Sequence, residues 1–285
     1  MPADLASLMA FRQTGVRADW APGDASLYAL SVGAGRDPLD RVDLGLVLET
    51  RGPAVLPTMA AVIVRPVTRL LGLDTTGVFH LEQRLALLRP IPPQGVVVSD
   101  ARVVAVVDKG PGRGAIVTVE FVARLEDAGE PLFVMTQTVL ARGDGGCGGS
   151  FGPVAARHPI PDRAPDLTHQ AQTRPDQALL YRLNGDLNPL HADPDAAQAA
   201  GFAVPILHGL CTWGFACHAI VAAVPGHDPA RIAAFDARFT APVYPGDAIV
   251  TDIWVDGGTV SFRARAPGRD VVVLDNGRCQ IGPKT

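Results

Sequence analysis

The sequence predicts an α+β fold of the double hot-dog type: two antiparallel sheets, each wrapped round a long central helix, produced by internal duplication. Three observations predict it. The β-rich runs come in two sets of three, a P-x-x-P turn enters each set, and one helical stretch is apolar on nearly every face.

In the first half, EQRLALLRPIPPQG leads into runs at Val96–Val107, Ala115–Leu125 and Leu132–Ala141. In the second half, DARFTAPVYPGD leads into Ala248–Val255, Thr259–Ala266 and Val271–Ile281. Pro90 and Pro93 correspond to Pro242 and Pro245, an offset of 152 residues in each case. A fixed offset between like segments marks a duplicated unit, and β-branched runs between turn signals read as strands. The stretch Gly209–Val224, LCTWGFACHAIVAAV at its core, has almost no polar face. Such a helix must be buried all round. In the first half the matching helix falls at Ala54–Leu71, where Pro57 and Pro66 interrupt it.

Gly143–Gly152, GDGGCGGSFG, is followed by a Pro-rich stretch through Pro165. Gly and Pro at this density break helices and strands alike. The expected organisation is a first repeat at 1–142, a linker at 143–168 and a second repeat at 169–285. A length of 285 residues accommodates this.

Composition bounds the function. Apolar residues make up 47% and charged residues 19%, which predicts a large core and a buried interface between subunits. The net charge is −4 with no Lys/Arg run of five, which argues against nucleic acid. The longest nearly apolar stretch, Pro53–Val64, is too short to cross a membrane. The N-terminal MPADLASLMAFRQTG has no long apolar core, and the C-terminal GPKT is not an S-K-L address. Cys147, Cys211, Cys217 and Cys279 form no C-x-x-C pair and read as free thiols. The expected location is cytoplasmic.

The chemistry concentrates in Tyr181–His191, YRLNGDLNPLH. Thr173 and Pro175 signal a helix start, and Asn184-Gly185 a stop after about Leu183. Asp186, Asn188 and His191 then lie on a loop stiffened by Pro189. Asp193-Pro194 begins the next helix, which Gly201 ends. A carboxylate and an imidazole five residues apart on irregular backbone can converge on one water and move its proton. Gly209 begins the buried helix, where unpaired N–H groups can hold an oxyanion. The bare spacing also fits a capping turn, and Gly209 a packing glycine.

Read whole, YRLNGDLNPLHADPDAAQAAGF and PILHGLCTWGF resemble the MaoC-like (R)-specific enoyl-CoA hydratase 2 family, which includes the hydratase 2 domain of peroxisomal multifunctional enzyme type 2. LYALSVGAG at Leu27–Gly35, VVAVVDKGPGRGA at Val103–Ala115 and ARFTAPVYPGD at Ala237–Asp247 extend the likeness to roughly residues 24–281. The resemblance implies a double hot dog, a dimer, and hydration of trans-2-enoyl-CoA to (3R)-3-hydroxyacyl-CoA. It implies Asp186 and His191 as the catalytic pair, Asn188 placing the water, and Gly209 receiving the thioester oxygen.

The same resemblance implies Glu49 as a further important acid, although a surface carboxylate fits it equally. For the substrate and its CoA part it implies Tyr28, His80, Leu81, Lys109, Leu187, Pro189, Leu190, Arg238 and Phe239. Lys109 also reads as a solvated turn lysine and Phe239 as ordinary core. The family has Gly where this chain has Leu81, and Ser where it has Asn184. The first repeat would supply part of the CoA groove and room for the chain tail.

No metal or cofactor is expected. The histidines lack H-E-x-x-H spacing, and no phosphate-cradling Gly-rich motif occurs. CoA enters only as part of the substrate. Two other readings remain open: a hot-dog acyl-CoA thioesterase, and a non-catalytic acyl-CoA-binding subunit.

Overall fold

The computed structural model describes residues 3–282 except 52, 65, 74–76 and 225–227. Pro283–Thr285 of the GPKT terminus, read above for an address signal, and Met1–Pro2 lie outside the described residues. The first repeat runs α1 (Leu5–Ala10), β1 (Arg12–Trp20), α2 (Pro22–Ser31), α3 (Arg41–Val47), α4 (Ala60–Ile63), β2 (Val78–Leu87), β3 (Gly95–Asp108), β4 (Ala115–Leu125) and β5 (Pro131–Ala141). The second runs β6 (Leu167–Gln172), α5 (Gln177–Tyr181), α6 (Pro194–Ala199), α7 (Gly209–Ala223), β7 (Ile232–Phe239), β8 (Ala248–Asp256), β9 (Thr259–Ala266) and β10 (Val271–Ile281).

The six expected strand runs appear within a residue at each end, because turn residues bound every one of them. β6 begins at Leu167, two residues before the expected start of the second repeat. All ten strands join one antiparallel sheet in the order β1-β3-β4-β5-β2-β7-β10-β9-β8-β6. The second five repeat the first five in reverse, so the halves are related by a pseudo-twofold through the β2–β7 seam. Arg84 pairs with Asp236 at that seam. They stand 152 residues apart, the offset already seen in the prolines. The two expected sheets are thus fused edge to edge into one, and the fusion removes an exposed edge from each.

α7 lies against this sheet. Trp213, Phe215, Ala216, Cys217 and Ile220 are all fully buried. Burying each large apolar side chain contributes about 1.5–3 kcal/mol. Trp213 meets Phe235 edge-on at 5.4 Å, and Phe235 stacks on Phe262 at 4.8 Å. All four cysteines are buried and unpaired. No helix among the described residues is long and apolar enough to cross a membrane.

The first repeat departs from expectation. The helix read over Ala54–Leu71 is broken into a 3-10 turn at Pro57–Met59, the single turn α4, and a 3-10 turn at Thr68–Leu71. Pro57 starts that short helical piece, where its missing N–H is harmless. Pro66 lies beyond its end, where a helix would need the N–H it lacks. The segment stays buried through Leu56, Met59, Ala60 and Val64. An apolar cavity of about 160 Å³ remains beside it, lined by Pro53, Val55, Pro57, Leu87 and Ile91 among others.

α2 packs on α7 because Gly214 has no side chain. A Cβ there would stand 2.5 Å from Val32 Cγ1 and 2.9 Å from Tyr28 Oη. Gly214→Ala is therefore expected to destabilise the fold by about 1–3 kcal/mol, despite alanine's better helix propensity. Urea unfolding checks this; an unchanged or raised midpoint contradicts the packing described.

Candidate active site

The catalytic loop forms as its sequence requires. α5 begins at Gln177, four residues later than Thr173 suggested, because the Thr173 N–H and hydroxyl both donate to the Asp247 carbonyl instead. A 3-10 turn, Arg182–Asn184, follows, and Gly185 closes it at φ +107°, a left-handed conformation that suits glycine. Asp193 caps α6 through the Asp195 N–H. Between these stops Asp186 and Asn188 lie on irregular backbone, and His191 ends a 3-10 turn, Pro189–His191.

Two hydrogen bonds lock this loop to the start of α7. His191 Nδ1 donates to the Ile206 carbonyl at 2.8 Å. His208, the residue before α7, donates from Nε2 to the Asp186 carbonyl at 3.2 Å. A carbonyl only accepts, so the proton of His191 is on Nδ1, and Nε2 carries a free lone pair. The Asp186 carboxylate, His191 and His208 place one donor atom each within 4.8 Å of one another. The two imidazoles stack at 3.8 Å.

Burial lowers the pKa of both rings. His191 falls below its ordinary value of 6.5 because it is desolvated, against smaller upward pulls from the Ile206 carbonyl and Asp186. His208 falls to about 4, through burial first and then the neighbouring His191. His80, half-buried, is also held at about 4 by desolvation, while the charge of Asp186 pulls the other way. At neutral pH all three rings are uncharged beside Asp186. Asp186, His191 and His208 are close enough to share a metal ion: His208 Nε2 is committed to the Asp186 carbonyl, while its Nδ1 has no partner among the described residues.

Gly209 is the first residue of α7, so its N–H has no acceptor within the helix. A Cβ on Gly209 would lie 3.2 Å from the Phe239 ring. Phe239 in turn lies 4.5 Å from the His80 ring. Gly209, Phe239 and His80 therefore bring α7, β7 and β2 together beside Asp186.

The other expected residues fall differently. Asn188 Oδ1 accepts the Leu190 N–H at 3.1 Å, so it caps a turn, and its NH2 group and second lone pair remain to meet a water. Leu187 is 61% exposed; Pro189 is exposed and Leu190 half-buried. Leu81 is the extra residue in a break of register between His80 and Glu82. Its φ is not left-handed, so the backbone tolerates Leu where the family has Gly. Lys109 is exposed in the β3–β4 turn, at the same end of the sheet as His80 and three strands away, about 14 Å.

Strand geometry and burial set three of the expected residues, Arg238, Tyr28 and Glu49, apart from the pair. Arg238 and Phe239 do not point to one place. Alternation along β7 turns Phe239 toward α7 and Arg238 to the outer face, where Nη1 binds Glu82 at 3.1 Å. Tyr28 is 1% exposed and packs at the far end of a ring column. The column runs Tyr28–Tyr181 at 6.3 Å, Tyr181–His208 at 4.9 Å, then His208–His191. It supports His191 from behind. Glu49 is exposed on a 3-10 turn, and no hydrogen bond among the described residues joins it to Asp186 or His191. The buried acid of that region is Asp43, bonded to His218 Nε2 at 2.6 Å.

The structure adds residues that sequence reasoning passed over. His208 appeared only as part of the string before Gly209. Asn184 Nδ2 donates to Ser31 Oγ at 2.9 Å, and Gln177 Nε2 to the Ser31 carbonyl at 2.8 Å. Ser31 thus ties the catalytic loop to the first repeat. No local signal announces a bond across 153 residues.

Comparison with known proteins bears on the family and the fold. Residues 157–275 match the MaoC-like domain, and residues 19–143 match the MFE-2 hydratase 2 N-terminal domain. The chain is 38% identical to an enoyl-CoA hydratase of Mycobacterium tuberculosis, over 97% of this chain and 98% of that one. It is 35% identical to the peroxisomal enoyl-CoA hydratase 2 of Arabidopsis thaliana, over 94% and 92% of the two chains. The crystal structure of a MaoC-like dehydratase from Phytophthora capsici superposes with a TM-score of 0.87 at 28% identity, covering 99% of this chain and 100% of that one. With its loop-borne Asp186 and His191 set against the start of one buried helix, the chain belongs to the MaoC-like enoyl-CoA hydratase 2 family.

Proposed function

We propose that the protein is a hydro-lyase that reversibly adds water to a trans-2-enoyl-CoA, giving the (3R)-3-hydroxyacyl-CoA. The observation that carries the reading is the grouping of the Asp186 carboxylate and the His191 ring within 4.8 Å, both held to the start of α7, where the Gly209 N–H has no acceptor within the helix. Water has two hydrogens, and these two acceptors hold one each. The thioester oxygen sits on the Gly209 N–H, which stabilises the enolate as charge moves onto it. The water oxygen bonds to C3, one of the pair takes its proton, and a proton is delivered to C2. The sum is one water added across one double bond. The reverse sequence removes it. In this proposal the reaction uses no metal and no cofactor, and CoA is part of the substrate.

His191 is the better base of the two, since it is neutral at pH 7 with its other nitrogen fixed on Ile206. Lys109 is proposed to meet CoA phosphates. Leu179 of α5, Leu183 of the 3-10 turn and Leu187 of the loop, 52%, 61% and 61% exposed, support a second copy of the chain. The four free thiols support a reducing compartment, and a cytoplasmic location is part of the proposal.

Asp186→Asn and His191→Gln are expected to cut the rate of crotonyl-CoA hydration by about 10²-fold or more while the protein stays folded. Loss of enoyl absorbance measures it. Near wild-type rates in both sink the proposal. Release of free CoA thiol would identify a thioesterase instead, and binding without turnover a non-catalytic subunit. A second expectation concerns pH. His191 must be unprotonated to act, and its pKa is lowered, so activity persists below pH 6.5 and is lost only as pH falls through that lowered value. An acid limb of kcat/KM at or above 6.5 contradicts His191 as a buried base.

A further inference from the structure

A second cavity lies on the outer face of the sheet, across the seam from α7. Strand alternation places Glu82 and Arg84 of β2, and Asp236 and Arg238 of β7, on that face. The linker crosses it. Arg84 Nη2 donates to the Ala156 carbonyl at 2.7 Å, Asn276 Nδ2 donates to the His158 carbonyl at 2.8 Å, and His158 Nε2 meets Ser261 Oγ at 2.7 Å. Strands and linker enclose about 200 Å³.

The lining carries four guanidiniums, from Arg84, Arg157, Arg238 and Arg278, against two carboxylates, from Glu82 and Asp236. Four less two leaves two positive charges in excess. Both carboxylates are occupied. Glu82 holds Arg84 and Arg238, and Asp236 accepts Arg278 Nη2 at 2.6 Å and the Leu85 N–H at 3.3 Å. They fix the arginines in place without consuming all five N–H donors of each. Arg157 is exposed and forms no ion pair among the described residues. A preset array of planar forks with an excess of two charges matches a phosphate group in geometry and in charge.

We propose that this cavity binds a phosphate-class dianion, held by Arg84, Arg157, Arg238 and Arg278 on the outer face of the seam. Two sources carry that chemistry: the 3′-phospho-ADP part of a CoA thioester, and a free phosphate compound. The first source rests on the hydratase reading above. It has a geometric basis, since the β2–β7 ladder ends at Glu82 and Arg238, next to His80 and Phe239.

The test is calorimetric titration of the full chain with inorganic phosphate and with adenosine 3′,5′-bisphosphate, without turnover. One saturable site is expected for at least one probe. Arg157→Ala, which breaks no hydrogen bond or ion pair among the described residues, should weaken it about tenfold, and Arg157→Lys should retain part of the affinity. Arg278→Gln should weaken it as well. If the bisphosphate is the better ligand and Arg157→Ala raises KM for crotonyl-CoA but not for crotonyl-pantetheine, the site serves the substrate. If phosphate binding weakens while KM stays fixed, it serves a separate ligand. The proposal is overturned if neither probe binds at millimolar concentration, or if both bind the Arg157 and Arg278 variants as tightly as wild type.

Discussion

Burial of α7 on every face is the constraint from which the rest follows. A helix carrying Trp213, Phe215 and Ile220 with no polar side must be wrapped, and a sheet wide enough to do so needs both repeats. Within the helix the polar His218 is met by the buried Asp43, and the unpaired backbone groups are left at its ends. Its N-terminus emerges beside β7, where Gly209 meets Phe239. The unpaired N–H groups are thus delivered to the one place where a polar substrate group can reach them.

Duplication supplies the frame and then departs from symmetry. The pseudo-twofold relates strands pairwise, with Arg84 and Asp236 facing each other across it. The helices do not obey it. Pro57 and Pro66 reduce the first repeat's helix to short turns, while the second keeps fifteen residues of α7. Only the second repeat carries G-D-x-N-P-x-H. In the proposed reaction one half therefore serves as scaffold and groove, and the other holds the reacting groups.

The site is built from neutral imidazoles around one carboxylate. Burial keeps His191, His208 and His80 uncharged, and the Ile206 carbonyl chooses which nitrogen of His191 bears the proton. The ring column behind His191 and the Ser31 bonds behind the loop hold that choice rigid. On the opposite face the balance reverses, and arginines outnumber acids. The same two strands thus present a nearly uncharged wall inside and a cationic one outside, because successive side chains alternate.

The sequence by itself determined what depends on neighbours along the chain. Strand limits followed from turn residues, the stops at Gly185 and Gly201 from their need for positive φ, the duplication from its offset, and the Asp186/His191 pair from an unbroken motif. Only the tertiary structure decided what depends on distant partners. It broke the Ala54–Leu71 helix, turned Arg238 away from Phe239, sent Tyr28 into the core, left Glu49 exposed, and brought His208 and Ser31 to the catalytic loop. The physical reason is range. Turn and capping signals act over about four residues. The face a side chain takes, the tautomer a ring adopts and the bond that anchors a loop are set by atoms that folding brings from the other repeat.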